Sequence, residues 1–226
     1  MSESLHCPLC DSGLTESFYR DRRRPYLRCL DCTLVFVPPA FHLDRDAEKA
    51  EYDLHDNRVD DPAYRRFLSR LADPLLERLP PAARGLDFGC GPGPALAAML
   101  EQAGHAVALY DVFYFPDAAV LGGQYDFICA TEVVEHLHRP GAELDRLWQC
   151  LRPGGWLGVM TKLVRDREAF AGWHYKNDRT HVCFFSEATW EWWAKGRGAA
   201  LEIVAADVIL LFKPQEVRPA AHRRPC

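Results

Sequence analysis

The stretch Gly85-Leu-Asp-Phe-Gly-Cys-Gly-Pro-Gly93 decides how the rest of the chain is read. A short apolar run, Gly85–Phe88, leads into glycines at alternate positions: Gly89, Gly91 and Gly93. Glycine accepts left-handed backbone angles and has no Cβ, so such a turn lets main chain approach a bulky ligand. A buried strand running into a glycine turn and then a helix opens a doubly wound sheet, where ligands sit beyond the carboxyl ends of the strands. Pro92 and Pro94 stiffen this turn. A dinucleotide-binding turn reads GxGxxG, with its third glycine inside the helix. Here the spacing differs, and Asp87 stands two residues before the first glycine, where a carboxylate can meet an amino or other cationic group. A second acid, Asp111, closes the next apolar run 18 residues after Gly93. That placement suits a carboxylate accepting from ribose hydroxyls.

Outward from the turn, strand and helix patterns alternate. Ala95–Ala103 and Gly141–Cys150 read as helices; Ala106–Tyr110, Tyr125–Ala130 and Trp156–Thr161 read as strands. Such alternation predicts an α/β fold: a Rossmann-like, doubly wound, mostly parallel sheet covered on both faces. Leu201–Val204 and Val208–Phe212, separated by Ala-Ala-Asp, suit an antiparallel edge pair. Only 14 residues separate Asp111 from Asp126, too few for a helix and a further strand. The sheet is therefore expected to be shortened after its second strand. Upstream, Tyr64, Phe67, Leu68, Leu71, Leu75, Leu76 and Leu79 recur at helical steps, with Asp61 suited to the cap and Pro62 to the first position. Pro74 is expected to kink this helix or split it in two.

The 226 residues leave room for one full α/β domain and a small appendage. The net charge of −5 argues against a general attraction to nucleic acid or acidic membrane. The start, MSESLHCPLC, lacks a secretory pattern, and no apolar run approaches the ~20 residues that span a bilayer. The expectation is a cytoplasmic protein whose nine cysteines stay reduced. Cys7-x-x-Cys10 and Cys29-x-x-Cys32, 18 residues apart, match the knuckles of a structural zinc site, a zinc ribbon; disulfides or unpaired thiols are the alternative. Between them Arg20, Arg22, Arg23, Arg24 and Arg28 form a basic cluster, read either as a phosphate or RNA contact or as a solvated edge. Cys90, Cys129, Cys150 and Cys183 have no paired spacing and read as small core residues. The expected organisation is a zinc-ribbon module at 1–40, a connector and helical cover at 41–82, the main domain at 83–213, and a Pro- and Arg-rich disordered tail at 214–226.

Four segments in order resemble the class I S-adenosylmethionine-dependent methyltransferases: GLDFGCGPG, the acid in LYDVF (109–113), YDFICATEVVEHL (125–137) and LRPGGWLGVMT (151–161). The resemblance covers residues 83–213 and implies S-adenosylmethionine as cofactor. Carried over, Gly89, Gly91 and Gly93, with Cys90 among them, would line the methionine and ribose side. Asp87 would lie near the methionine amino group and Asp111 on the ribose, with Val112, Phe113, Thr131 and Glu132 completing the set. The acid that usually contacts adenine has no counterpart in the short interval, so Phe113 or Tyr114 is the candidate to stack on the base.

The chemistry is expected in TEVVEHLHRP, 131–140. If a helix begins at Val133, then Glu132, Glu135 and His136 share one face. That set can hold magnesium. It looks like the ExxEH element of ubiquinone-pathway O-methyltransferases and of small-RNA 2′-O-methyltransferases, which add a distant histidine; His181 stands where that ligand would be. A metal there would lower the pKa of an acceptor hydroxyl. Without one, His136, His181 or Glu135 is the candidate catalytic base, and helix packing is the remaining alternative. The segment 173–194 is expected to cover the acceptor pocket, with Trp173, His174, Tyr175 and Lys176 facing it. Ser186 suits the cap of the next helix, whose core stripe carries Trp190 and Trp193. The resulting expectation is an enzyme that methylates oxygen or carbon of a small molecule, with no membrane and no obligate protein partner. RNA methylation is the alternative, because the CPLC knuckle resembles that of a ribosomal RNA guanine methyltransferase family. A third reading is a zinc-ribbon interaction protein with a degenerate methyltransferase fold.

Overall fold

The structure is a computed structural model describing residues 5–54 and 58–215. The tail expected to be disordered lies outside the described residues from 216 on. In chain order the elements are β1 (Thr15–Arg20), β2 (Pro25–Cys29), β3 (Val35–Phe36), α1 (Arg45–Tyr52), α2 (Pro62–Leu76), β4 (Arg84–Phe88), α3 (Ala95–Gln102) and β5 (Ala106–Tyr110). Then follow β6 (Tyr125–Thr131), α4 (Pro140–Cys150), β7 (Leu151–Met160), α5 (Arg167–Gly172), β8 (Cys183–Phe184), α6 (Glu187–Arg197), β9 (Ala200–Ala205) and β10 (Val208–Phe212).

The apolar runs that flank the glycine turn pair side by side. The main sheet has the order β5-β4-β6-β7-β10-β9. β4 runs parallel to β5 and β6, and β6 parallel to β7, while β10 lies antiparallel to both β7 and β9. The expected antiparallel edge is therefore present. Strands buried on both faces need apolar residues at every position rather than alternate ones. The centre of β6 satisfies this: Phe127 and Cys129 face the layer of α2 and α3, and Ile128 and Ala130 face the opposite layer with Trp190 and Trp193. The interval after Asp111 holds an isolated bridge to Phe115 and a 3-10 turn, Ala118–Gly122, so β5 forms the outer edge.

Asp61 caps α2 by accepting from Ala63 N, and Pro62 is its first residue. The helix does not split at Pro74. That residue falls in the last turn, so its missing N–H removes a ladder bond only where the helix is already ending. α6 begins with a Ser186–Thr189 capping box and buries Trp190 and Trp193, as its pattern predicted.

The amino-terminal strands form a second sheet, β1-β2-β3-β8, whose last strand comes from the segment expected to cover the acceptor. Tyr26, Phe36, Phe170 and Phe184 join the same continuous core as Ile128 and Trp190. The first cysteine knuckle rests on the start of α4: Gly141 N–H donates to Pro8 O at 3.2 Å, and a Cβ at Gly141 would meet Leu9 O at 2.3 Å. Among the described residues, no helix is long and apolar enough to cross a membrane.

Gly85 marks the tightest packing in β4, because a Cβ there would lie 2.1 Å from the Phe127 ring. Gly85→Ala is expected to cost about 1–3 kcal/mol in denaturant unfolding through overpacking. Gly196→Ala, which meets nothing within 4 Å in α6, is expected to stabilise by about 0.5–1 kcal/mol.

Candidate functional site

β4 ends at Phe88 and the chain reverses into α3 through the glycine turn. Gly89 and Gly91 hold φ of +74° and +65°, the left-handed region that side chains resist. Gly89 has a second reason to lack a side chain: a Cβ would lie 2.4 Å from Val133 Cγ2. The amides of Gly89 and Cys90 donate to Tyr110 O at 2.7 and 3.2 Å. Asp111, 9 % exposed, binds the turn from the next strand. Its Oδ2 accepts from Gly91 N at 3.0 Å, and its Oδ1 accepts from Phe113 N at 2.8 Å and Tyr114 N at 3.1 Å. One carboxylate thus fixes both the glycine turn and the exit of β5.

Above these turns lies a cavity of about 760 Å³. Gly89, Cys90, Gly91, Asp111, Val112, Phe113, Tyr114, Thr131 and Glu132 line it. Burial and the nearby Asp87 and Asp111 carboxylates push the Cys90 thiol well up, so it is an inert wall group. Two of the residues expected at the cofactor do not line the cavity. Asp87 points through the other face of β4, fully buried, and accepts from Ala97 N at the start of α3; burial raises it to about 7. Strand alternation sends it there. Gly93 faces the helix start, its carbonyl accepting from Ala95 N.

The far end of the cavity carries Glu132, His136, Lys162, His174, Tyr175, Asp178 and His181. The expected helix over 133–137 is only a 3-10 turn, Val134–His136, and Glu132 sits before it at φ +52°. The predicted common face therefore does not form. Glu135 drops beneath the cavity, with no exposed surface, and takes the Tyr175 hydroxyl on Oε1. Glu132 stays on the wall, its Oε2 3.4 Å from the same hydroxyl. Burial, followed for Glu135 by the neighbouring Glu132 charge, raises the two carboxyls to about 7 and about 8. His181 donates from Nδ1 to Tyr175 O at 2.8 Å, which leaves Nε2 as the acceptor, and burial lowers it to about 4. The His136 and His181 rings meet edge to face at 4.6 Å.

Ligand atoms of Glu135, His136 and His181 lie within 4.8 Å of one another, and Glu132 is not among them. One carboxylate and two imidazoles do not make the oxygen-rich octahedron that magnesium prefers, so this donor set does not fit the expected magnesium. Of the residues expected to face the acceptor, His174 and Tyr175 line the cavity. Trp173 instead packs on Tyr175 and Phe184, and Lys176 is buried with its ammonium over the Tyr19 ring. Tyr52 of α1 and Tyr64 and Phe67 of α2 also line the cavity. Sequence reasoning missed them as site residues; an aromatic on a charged helix, as Tyr52 is, was the available signal.

The four amino-terminal cysteines cluster, with Cys7–Cys32 and Cys10–Cys29 sulfurs each 3.5 Å apart. That is far longer than the ~2.05 Å of a disulfide and suits the edges of a tetrahedron of thiolates. The residue after each knuckle, Asp11 and Thr33, holds a left-handed φ that turns the chain around the sulfurs. From the same module Arg24, 6 % exposed, reaches the loop that carries Tyr175 and His181. It donates to the carbonyls of Lys176, Asp178 and Arg179 at 2.9, 2.7 and 3.0 Å, and to Tyr26 Oη at 3.1 Å.

A family described as a methyltransferase domain matches residues 60–204. The biotin biosynthesis bifunctional protein BioCD of Bordetella avium is 33% identical over 131 residues, 46% of this chain and 27% of that protein; the chain thus spans about a quarter of that relative. The 1,6-didemethyltoxoflavin-N1-methyltransferase of Burkholderia thailandensis, solved with 1,6-didemethyltoxoflavin and S-adenosylhomocysteine bound, shares the fold. Its TM-score is 0.53 at 20% identity, over 88% of this chain and 100% of that one. An O-methyltransferase family protein of the same organism gives a TM-score of 0.50 at 16% identity, over 79% and 64%.

Hydrogen bonds from a charged donor contribute about 1.5–3 kcal/mol each, and losses within one network do not add. Arg24→Ala is expected to destabilise the protein by about 2–4 kcal/mol on that basis. Amide hydrogen exchange at 175–182 should quicken at least tenfold, while β6 amides stay protected.

Proposed function

The chain belongs to the methyltransferase-domain family, the class I S-adenosylmethionine-dependent enzymes its motifs resemble, and from that premise we propose that it methylates a small molecule. S-adenosylmethionine would sit over the glycine turn and β5, and the acceptor beside Glu132, His136 and His181. The observation that carries this reading is the Asp111 carboxylate, pinned by three backbone amides at the cavity wall next to two left-handed glycines. Oδ2 accepts one protein bond, which leaves it capacity for a hydroxyl donor. Thr131 Oγ1 is buried without a hydrogen-bond partner among the described residues, a second group suited to a polar ligand. Phe113, backed by the Arg45 guanidinium at 5.1 Å and by Tyr52, offers an aromatic face for adenine.

When bound, the cofactor supplies a methyl group activated by a sulfonium. The chain supplies alignment and proton transfer. Glu132 suits the base better than the three residues first expected. It lines the cavity, its Oε1 has no partner among the described residues, and its proton affinity lies near neutrality. Its left-handed backbone, rare for a side-chain-bearing residue, is the kind of strain kept at functional sites. Glu135 and Tyr175 orient it from below, and His181, neutral with Nε2 open, accepts a hydrogen bond from the acceptor. The four amino-terminal thiolates hold a structural zinc in this reading.

Asp111→Ala is expected to weaken S-adenosylhomocysteine binding at least tenfold by calorimetry, about 1.4 kcal/mol or more. A base works deprotonated, so methyl transfer from labelled cofactor to a metabolite extract should rise with pH and reach half its maximum at about 7. Glu132→Gln should abolish that inflection and lower the rate about 10²–10⁴-fold.

A further inference from the structure

A second cavity, of about 510 Å³, lies between the amino-terminal hairpin, the turn at 40–42 and the active-site loop. Arg23, Arg24, Arg179 and His42 line it, with Ala40 and Phe41. It adjoins the first cavity: the His42 ring lies 4.5 Å from that of His138, which lines the first, and Arg179 follows Asp178, which lines it too.

Several arginines elsewhere meet carboxylates, as in Arg28–Glu16, Arg78–Glu202, Arg152–Asp126 and Arg197–Asp145. Among the described residues, none of the three guanidiniums at this cavity is in an ion pair. The nearby carboxylates are engaged otherwise. Asp21 accepts from the backbone amides of Arg23 and Arg24 and from the Tyr26 hydroxyl. Asp178 accepts from Thr180 through Oδ1 and holds Oδ2 3.7 Å from His181 Nε2. Arg24 makes its four side-chain bonds to carbonyls and a hydroxyl, and meets the Asp21 carboxylate only through that hydroxyl. Arg23 donates to Asn177, and Arg179 stands exposed. Three guanidiniums line one cavity with only Asp21, already taken up by two backbone amides and the Tyr26 hydroxyl, as a counter-charge beside Arg23 among the described residues; that excess of positive charge, in a chain whose net charge is −5, suits an anion.

We propose that this cavity holds a phosphate-class anion carried by the methyl acceptor, with Arg23 and Arg179 as its binding forks and Arg24 as the fixed charge behind them. Planar guanidiniums match phosphate oxygens in pairs, a geometry that lysine lacks. The proposal rests on the small-molecule reading and narrows it: the acceptor is a phosphorylated or pyrophosphorylated metabolite, anchored here while its nucleophile lies beside Glu132. The basic hairpin singled out in the sequence thereby gains a role that the methyl-transfer chemistry does not use.

The test is titration calorimetry of the full chain with inorganic pyrophosphate, and separately with S-adenosylhomocysteine. Pyrophosphate should bind at one site, and Arg23→Ala and Arg179→Ala should each weaken it at least tenfold. Both substitutions lie at exposed side chains and should leave S-adenosylhomocysteine affinity unchanged. No pyrophosphate binding at millimolar concentration, or equal binding by the variants, would overturn the proposal. So would a single-stranded RNA oligonucleotide that binds more tightly than pyrophosphate with a steep salt dependence lost in both variants, which would assign the cavity to a polynucleotide. Failure of S-adenosylhomocysteine to bind, with pyrophosphate binding intact, would count against the methyl-transfer reading and leave the anion site standing.

Discussion

The architecture of the site hangs on the Asp111 carboxylate. Two adjacent parallel strands end in turns that have no covalent reason to keep their spacing. Asp111 supplies a non-covalent one: a single group accepts from the amide of Gly91 in one turn and from those of Phe113 and Tyr114 in the other. Bonds to an ionised carboxylate are stronger than neutral ones, and here they converge on one side chain. They hold left-handed glycine backbone at the mouth of β4, and an acceptor oxygen remains at the surface a ligand would meet. The glycines make the close approach sterically possible, and the carboxylate keeps it in place.

A second constraint acts from the opposite side. The loop that carries Tyr175, Asp178 and His181 has few regular hydrogen bonds of its own. It is held by β8 pairing with β3 and by the Arg24 guanidinium on three of its carbonyls. The cysteine module therefore braces, from outside the cavity, the loop that lines it. Its four sulfurs fix the hairpin, the hairpin fixes Arg24, and Arg24 fixes the loop that presents His181 Nε2 to the cavity. Buried Glu135 and half-buried Glu132 both approach the Tyr175 hydroxyl on this same loop, so the placement of that hydroxyl depends on the module as well.

Much of this was legible in the residues, for reasons that can be named. The glycine turn, Asp111 and the run of apolar strands are local signals, set by backbone freedom and by the need of doubly buried strands for unbroken apolar sequence. The short interval after Asp111 announced the missing strand by length alone. The paired cysteines announced their cluster by spacing. What misled was periodicity applied where no helix forms: TEVVEHL makes a single 3-10 turn, and Glu135 sinks while Glu132 stays up. Asp87 does not line the cavity, because strand alternation rather than proximity to the glycines sets its direction. The basic cluster marked Arg24 and an aromatic on a charged helix marked Tyr52, but what Arg24 and Arg179 do comes from contacts across more than a hundred positions of sequence, which no local pattern encodes.

The most direct measurement of the central claim is a crystal structure of the chain with S-adenosylhomocysteine. The account predicts the ribose hydroxyls on Asp111 and the homocysteine chain over Gly89 and Gly91, with Glu132 facing the sulfur across the cavity. A ligand bound elsewhere, or one in this cavity whose sugar makes no contact with Asp111, would contradict it.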